Sequence, residues 1–328
     1  MNTASLFDTY VMVDWSAAAL PARGADSIWS AVLHGSTGVL DVVNHPTRTE
    51  AKSMLRSLLR SSIADGHRVL VGVDIPYGYP VGTAAALGLA TTPRLPPWAA
   101  MWGELHRLIE DDVGDRPNRN TRFATAAALN ARIGANEADR SRPGPFWGGP
   151  VHLVNSPLSP KKLHAYPYAT PSGSLTEFRH AERALRAQGM RPFSVWQLAG
   201  AGAVGSQTLM GIPVLADLVT DPQLAPRSHV WPFTTGLALE SIPAISAASM
   251  TVGVVVHAEI WPGFLPKGAV EAVDHPVKDA RQVTALCGWM AEHDRAGTLA
   301  ALFAPKLDPV VAADVVAEEG WVLGVPGV

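Results

Sequence analysis

The stretch that decides the fold is Val69–Pro80, which reads VLVGVDIPYGYP. Its first five residues are apolar or glycine, a pattern typical of a central strand that is buried on both faces. The run stops at Asp74-Ile75-Pro76. Because the carboxyl ends of strands in an open sheet line the crevice where ligands bind, Asp74 is a candidate site residue.

Three further strands and a helix are predicted upstream of this stretch. The Thr47–Glu50 segment fits the S/T-x-x-E capping box, and apolar residues continue from it at helical spacing as far as Ala64. The predicted strands are Tyr10–Val13, Ser27–Leu33 and Val39–Asn44. The chain therefore opens in the order β-β-β-α-β.

Residues 81–249 are richer in Pro, Gly, Trp and Ala, and their spacing predicts short helices. These are Trp98–Glu110, Thr121–Ile133, Leu175–Gln188 and Ser206–Val219. Downstream we predict a strand at Val252–Ile260, a helix at Pro276–Glu292 and a short strand at Gly320–Gly324. The prediction is an α/β protein whose core, 1–80 and 250–328, carries a helical insertion or cap between strands four and five.

Composition excludes several classes of protein. Of 328 residues, 47% are hydrophobic and 17% are charged, so an intrinsically disordered chain is excluded. The net charge of −3 argues against a basic protein that wraps duplex DNA. The single cysteine, Cys287, cannot form an internal disulfide, and we expect a cytoplasmic protein. No apolar run is long enough to predict a membrane span.

Four acids stand at or beside the ends of apolar strands. Asp14 and Asp74 end strands one and four, Glu259 lies in the late strand, and Asp279 opens the following helix. Clustered carboxylates repel one another unless a cation neutralises them, and Mg²⁺ or Mn²⁺ prefers such oxygen ligands. Two such ions can support phosphoryl transfer. The structural alternative is that each acid only caps a turn or a helix.

Several motifs resemble those of a known family. The segments VMVDWSA, VGVDIPYGYP, HAEIWPGFLP and PVKDARQ, with QLAGAGAVGSQTLMGIP and EEGWVLGVP, look like a bacterial family of predicted RNase H-like nucleases. The function of that domain family is largely unknown. The resemblance runs from about Asp14 to Gly324 and implies an RNase H-like core with a mixed five-stranded sheet.

The resemblance also implies a metal site and nuclease activity. Its acids come from strand one, strand four and the helix after strand five, which correspond to Asp14, Asp74 and Asp279, with Glu259 as a fourth member. Glu50 is another candidate, but the capping box already gives it a structural role. The long insertion and the lack of a basic surface depart from the best-known nucleases.

Two segments of the insertion are candidates for binding a substrate phosphate. Arg119 and Arg122 lie among seven arginines between Arg107 and Arg142, although a solvated helix face is the ordinary alternative. Gly200–Gly205 matches G-x-G-x-x-G, and Gly202 and Gly205 would open a helix N-terminus that holds an anion. A dinucleotide fingerprint is the weaker interpretation, because it should follow a strand and be trailed by an acid about 20 residues on. Asp217 and Asp221 are too loosely placed for that role, and Pro213 would break the helix.

His257 lies two residues before Glu259 and so on the same face of the strand. Its imidazole is a candidate ligand or proton shuttle. The alternative is a core histidine whose ring nitrogens have protein partners.

Together these observations predict a divalent-metal-dependent phosphoester hydrolase or nuclease-like enzyme. Its expected substrate is a nucleotide-like small molecule or a short single-stranded nucleic acid. Two alternatives remain open at this stage. One is a non-catalytic or regulatory protein that binds a small phosphorylated ligand such as a nucleotide, and the other is a phosphotransferase with the related actin-like fold.

Overall fold

The computed structural model describes residues 5–134, 143–151, 157–242, 245 and 252–327. The chain divides into two compact units. Unit 1 comprises Met1–Ile75, Asp217–Asp308 and Trp321–Val328, and unit 2 comprises Pro76–Ala216 and Pro309–Gly320. The predicted division into a core of 1–80 and 250–328 and an insertion of 81–249 stays a prediction.

The opening order β-β-β-α-β is confirmed. The strands are β1 (Thr9–Asp14), β2 (Ile28–His34), β3 (Leu40–His45), β4 (Arg68–Asp74), β5 (Tyr168–Thr170), β6 (Gly173–Leu175), β7 (Ser228–Val230) and β8 (Val254–Glu259).

The helices follow the same numbering in chain order. They are α1 (Arg48–Ala64), α2 (Thr83–Ala86), α3 (Pro97–Leu108), α4 (Arg122–Ile133), α5 (His180–Ala187), α6 (Val204–Val219), α7 (Lys267–Glu271), α8 (Lys278–Arg295), α9 (Leu299–Leu302) and α10 (Pro309–Asp314), followed by a π-helical turn at Val315–Glu319. None of the described helices combines the length and the apolar character that crossing a membrane requires.

Unit 1 contains a mixed sheet with strand order β3-β2-β1-β4-β8-β7. Strands β1, β2 and β3 form an antiparallel meander, whereas β1, β4, β8 and β7 are parallel to one another. The sheet has six strands and not the five predicted. The additional strand is Ser228–Val230, which is too short to leave a periodic signal in the sequence.

Helices α1 and α8 cover the sheet. Helix α8 packs against β1 and β2, and α1 packs against β3, β4 and β8. The hydroxyl of Tyr10 in β1 donates to Oδ2 of Asp294 in α8 at 2.5 Å. Because side chains alternate along a strand, Tyr10, Met12 and Asp14 belong to the face that α8 covers.

The packing around Gly72 shows which residues of β4 and of the segment after β8 lie on this same face of the sheet. A Cβ at Gly72 would lie 2.5 Å from Sδ of Met12 and 2.7 Å from Cγ2 of Ile260. These side chains therefore fill the space above Gly72, on the face that Met12 shares with Asp14. Asp74, two residues after Gly72, belongs to this face by the same alternation.

The start of α1 confirms the predicted capping box in part. Thr47 is the N-cap, and its Oγ1 accepts a hydrogen bond from the backbone N–H of Glu50 at 3.1 Å. Ala51, Leu55 and Leu59 then face the core, as the apolar spacing predicts. The capping box and the apolar spacing therefore correctly predict where this helix begins and which face is buried.

Two helices of the 81–249 segment differ from their predictions. The predicted helix Leu175–Gln188 is shorter, because Leu175 ends β6 and the capping pair Arg179 and Glu182 starts the helix at His180. Pro213 does not break α6, which continues to Val219. Burial of the apolar residues on both sides of Pro213 stabilises the helix despite the missing N–H.

The core of unit 2 is aromatic around the end of the VLVGVDIPYGYP stretch. The rings of Tyr79, Phe146 and Trp196 contact one another, with centroids 4.9 to 5.8 Å apart. All three side chains are buried. Two of these contacts are edge-on and the one between Tyr79 and Trp196 is tilted, and together they hold the segment after β4 in place.

Two buried glutamates fix the start of two helices in unit 2. Glu318 accepts hydrogen bonds from the backbone N–H groups of Gly82 and Ala84 at 2.8 and 2.7 Å. Glu319 accepts from those of Val81 and His180 at 2.8 and 2.5 Å. Burial raises the pKa of both carboxyls, and these hydrogen bonds act in the opposite direction. The π-helical turn thus supplies the N-terminal partners of α2 and α5.

Gly78 packs directly on this turn. A Cβ at position 78 would lie 2.1 Å from the carbonyl oxygen of Glu318 and 2.6 Å from that of Glu319. Both obstacles are backbone atoms, so a side chain cannot be accommodated by a rotamer change. The glycine of the DIPYGYP motif is therefore required by packing.

We expect Gly78→Ala to lower the free energy of unfolding by about 1–3 kcal/mol, because the added methyl overlaps backbone atoms. Urea unfolding measured by circular dichroism checks this expectation. Gly103→Ala is the matched control, because Gly103 lies in α3 with nothing within 4 Å of its Cβ position. The control should leave stability unchanged or raise it by about 0.5–1 kcal/mol, and equal stability of the two variants would contradict the packing argument.

Candidate functional site

The site begins where the two central parallel strands end together. Asp14 of β1 and Asp74 of β4 are register partners and are the last residues of their strands. Neighbouring strands lie about 4.8 Å apart, so the two side chains start side by side. The buried residues before them fix this register, since a slip by one residue would move every side chain to the opposite face and force both faces to repack.

Asp279 reaches the same region from α8. It lies in the first turn of that helix, which packs on the face of β1 to which Asp14 belongs. Its Oδ2 accepts a hydrogen bond from the backbone N–H of Asp26 at 2.8 Å. A carboxylate in the first turn is also favoured by the partial positive charge of the helix N-terminus.

The electrostatics of the three acids show that they influence one another. Burial, followed by the negative charges of Asp279 and Asp26, raises the pKa of Asp14 to about 7. Burial raises the pKa of Asp74 well above its ordinary value, and Asp14, Glu259 and Asp279 raise it further. The pKa of Asp279 is also raised, mainly by burial.

The opposing positive charge near these acids is small. Lys278 is the cation that lowers the pKa values of Asp14, Asp74 and Asp279, and it is exposed. When ionised, these acids therefore carry a negative charge that the surrounding described residues do not balance. A bound cation would favour the ionised form of all three.

Glu259 occupies a different position from the other predicted members of the site. In the register of β4 and β8 it is the partner of Val73, not of Asp74, so alternation assigns it to the opposite face. It is buried, and its carbonyl accepts the N–H of Leu323 at 2.9 Å. Its charge still reaches Asp74, whose pKa it raises.

The donor set of the three acids matches a divalent cation in its chemistry but not in its side-chain positions. Three carboxylates from two strands and a helix supply the oxygen ligands that Mg²⁺ and Mn²⁺ prefer. Within the described residues, however, no group of three or more His, Cys, Asp or Glu side chains is arranged to hold a metal ion. The chemistry of the donors fits, whereas the side-chain positions do not converge on one point.

Arg119 and Arg122, the predicted phosphate ligands, belong to unit 2. Arg122 donates through Nε to Oγ of Ser206 at 3.1 Å and through Nη1 to Oδ1 of Asn120 at 2.8 Å, and it lies over the ring of Phe123. Arg119 is exposed. Arg122 thus braces the start of α4 against the start of α6. Arg140 and Arg142, from the same arginine-rich stretch, lie outside the described residues.

Gly202 and Gly205 have packing roles before α6. A Cβ at Gly202 would overlap the ring of Phe193, and one at Gly205 would lie 2.3 Å from the carbonyl oxygen of Val195. Two N–H groups at the start of the helix already have partners, since those of Gly205 and Ser206 donate to the carbonyls of Gln197 and Ala203. Anion binding at this turn therefore stays a prediction.

His257 is buried, yet neither ring nitrogen has a hydrogen-bond partner among the described residues. The expectation of a core histidine with protein partners is therefore wrong for the described part of the chain. Burial, with a smaller effect of His229, lowers the pKa of His257 to about 3. The imidazole is thus neutral at physiological pH.

Sequence reasoning missed Asp26. It lies in the loop between β1 and β2, has a φ of 58°, and its charge raises the pKa values of Asp14 and Asp279. No apolar strand or helix precedes it, so the strand-end signal that found Asp14 and Asp74 does not apply. The sequence ARGADS around it shows only a turn.

Comparison with protein-family models, with curated proteins and with solved structures finds no match to this chain. The family resemblance of the sequence motifs therefore stays a prediction.

The raised pKa of Asp14 makes stability depend on pH in the metal-free protein. Between about pH 4 and 7 the folded state retains a proton that the unfolded state releases, so the free energy of unfolding should fall as the pH rises. The fall attributable to Asp14 should be about 2–4 kcal/mol.

Urea unfolding between pH 4 and 8 measures this dependence. Asp14→Asn should reduce it, because the contribution of Asp14 is lost while those of Asp74 and Asp279 remain, whereas Asp41→Asn, at an exposed position of edge strand β3, should not change it. Identical pH slopes for the wild type and Asp14→Asn would refute the assignment of Asp14 as a buried, charge-crowded carboxyl.

Proposed function

We propose that unit 1 is an RNase H-like domain that hydrolyses phosphoesters with Mg²⁺ or Mn²⁺. The observation that carries the proposal is the pairing of Asp14 with Asp74 at the ends of adjacent parallel strands, with Asp279 contributed by α8. The strand order β3-β2-β1-β4-β8, antiparallel and then parallel, supports the fold assignment. The sequence resemblance favours the same class of enzyme.

In this proposal each carboxylate has a defined role. Asp14 and Asp74 hold the cation between the two strand ends, and Asp279 closes the site from the helix. Because the side chains do not yet converge, binding requires rotation of these aspartates about their side-chain torsions. When bound, the cation would polarise a phosphoryl oxygen and lower the pKa of a ligated water.

The proposed substrate is a nucleotide-like molecule or a short single-stranded nucleic acid. A formal net charge of −3 provides no general attraction for a long polyanion. Without a cation, the raised pKa values of Asp14, Asp74 and Asp279 favour protonated carboxyls, and any that ionise repel phosphate. Substrate binding is therefore expected to depend on the metal.

Mn²⁺ should raise the thermal unfolding temperature of the wild-type protein by several degrees, because a ligand that binds only the folded state stabilises it. Asp14→Asn and Asp74→Asn should each abolish most of this shift and lower any Mn²⁺-dependent phosphodiesterase rate at least about 10²-fold. Differential scanning fluorimetry and hydrolysis of a labelled single-stranded oligonucleotide provide the two readouts.

Asp41→Asn is the control, since it removes one exposed carboxylate from edge strand β3, which β2 separates from β1. It should retain both the shift and the activity. The proposal fails if Asp14→Asn and Asp74→Asn retain the Mn²⁺ shift, or if the wild type shows none.

Glu259 provides a test of the ligand set. Because alternation assigns it to the other face of the sheet, we expect Glu259→Gln to reduce Mn²⁺ affinity only slightly, whereas Asp74→Asn reduces it at least about tenfold. Isothermal titration calorimetry measures both values. A loss with Glu259→Gln as large as that with Asp74→Asn would instead make Glu259 a direct ligand.

A further inference from the structure

We infer that Asp26 is a positioning residue for the proposed metal centre, with its backbone N–H orienting the carboxylate of Asp279; this inference rests on the proposed function. The hydrogen bond from Asp26 to Oδ2 of Asp279 is 2.8 Å long and joins residues 253 positions apart. Oδ1 of Asp279 has no hydrogen-bond partner among the described residues. One oxygen is thus held and the other is available to a cation.

The backbone of Asp26 adopts a conformation that is uncommon for a residue other than glycine. Its φ of 58° lies in the left-handed region, which aspartate and asparagine tolerate better than most residues do. Its carbonyl oxygen accepts a hydrogen bond from Oγ of Ser16 at 2.9 Å. Ser16 follows Asp14 by two residues. The backbone of Asp26 therefore contacts both the segment after Asp14 and the carboxylate of Asp279.

The loop that carries Asp26 is anchored by hydrogen bonds along its length. The N–H of Gly24 donates to Oδ1 of Asn44 at 2.8 Å, and the carbonyl of Gly24 accepts from Nε1 of Trp29 at 2.8 Å. Nη1 of Arg48, a buried residue of α1, donates to the carbonyl of Ala18 at 2.8 Å. These contacts hold the Asp26 peptide in place before any ligand arrives.

Helix α8 does not supply an equivalent contact. Its N-cap residue, Val277, makes no side-chain hydrogen bond to the first turn. The orientation of Asp279 therefore depends on the β1–β2 loop. Carboxylates that ligate metals are generally oriented by such hydrogen bonds, and loss of the partner typically weakens metal binding by about 10- to 100-fold.

Substitutions at position 26 separate the backbone from the carboxylate. Asp26→Gly and Asp26→Asn tolerate a positive φ and keep the N–H, but they remove the negative charge. Asp26→Val keeps the N–H but disfavours the left-handed conformation. Mn²⁺ affinity of the full-length protein is measured by titration calorimetry for all three variants.

The expected result is a 10- to 100-fold loss of Mn²⁺ affinity for Asp26→Val, and a loss of about threefold or less for Asp26→Gly and Asp26→Asn. Equal losses in all three variants would overturn the inference, because the carboxylate would then be the important group. Wild-type affinity in Asp26→Val would overturn it as well. If Asp26→Val does not fold, Ser16→Ala replaces it: weaker binding supports the inference, and unchanged binding overturns it.

A metal-free measurement separates this inference from the proposed function. In the protein without metal, the amide proton resonance of Asp26 should shift upfield in Asp279→Ala, because the hydrogen bond to the carboxylate is lost, and should not shift in Asp41→Ala. An unchanged resonance in Asp279→Ala overturns the inference. Absence of Mn²⁺ binding in the wild type overturns only the proposed function, and the amide shift then decides whether Asp26 orients Asp279.

Discussion

The parallel pairing of β1 with β4 is the constraint on which the site depends. Six residues of β1 pair in register with six of β4, and the last pair is Asp14 with Asp74. The residues before each aspartate are almost completely buried, so a slip of the register would force side chains on both faces to repack. Hydrophobic burial therefore brings together two like charges that would separate in a less constrained chain.

The electrostatic result of this constraint explains why the composition of the chain says little about its site. A net charge of −3 spread over 328 residues is small, yet several acids lie close together at the carboxyl ends of the central strands. In a partly buried environment, carboxylates are either protonated or compensated by a cation. The raised pKa of Asp14 corresponds to protonation in the metal-free protein. The proposed function corresponds to compensation by a bound cation.

Much of the fold could be predicted because its signals are local. The capping threonine, the apolar run at Val69–Val73 and the acids at the strand ends are each visible within a few residues. Strand β7 was missed because three residues form no period. The face occupied by Glu259 requires the register between strands, and the role of Asp26 requires a contact with a helix 253 residues away. Neither relation is encoded in a short window of sequence.

The buried turn at Glu318 and Glu319 determines when the protein can complete its folding during synthesis. The amide groups at the start of α2 and α5 find their carboxylate partners only in residues 318 and 319. The sheet of unit 1 likewise receives Val322 as a bridge partner of Glu259. In a nascent chain on the ribosome, these backbone groups therefore lack their protein partners until residues 318–323 have emerged from the exit tunnel.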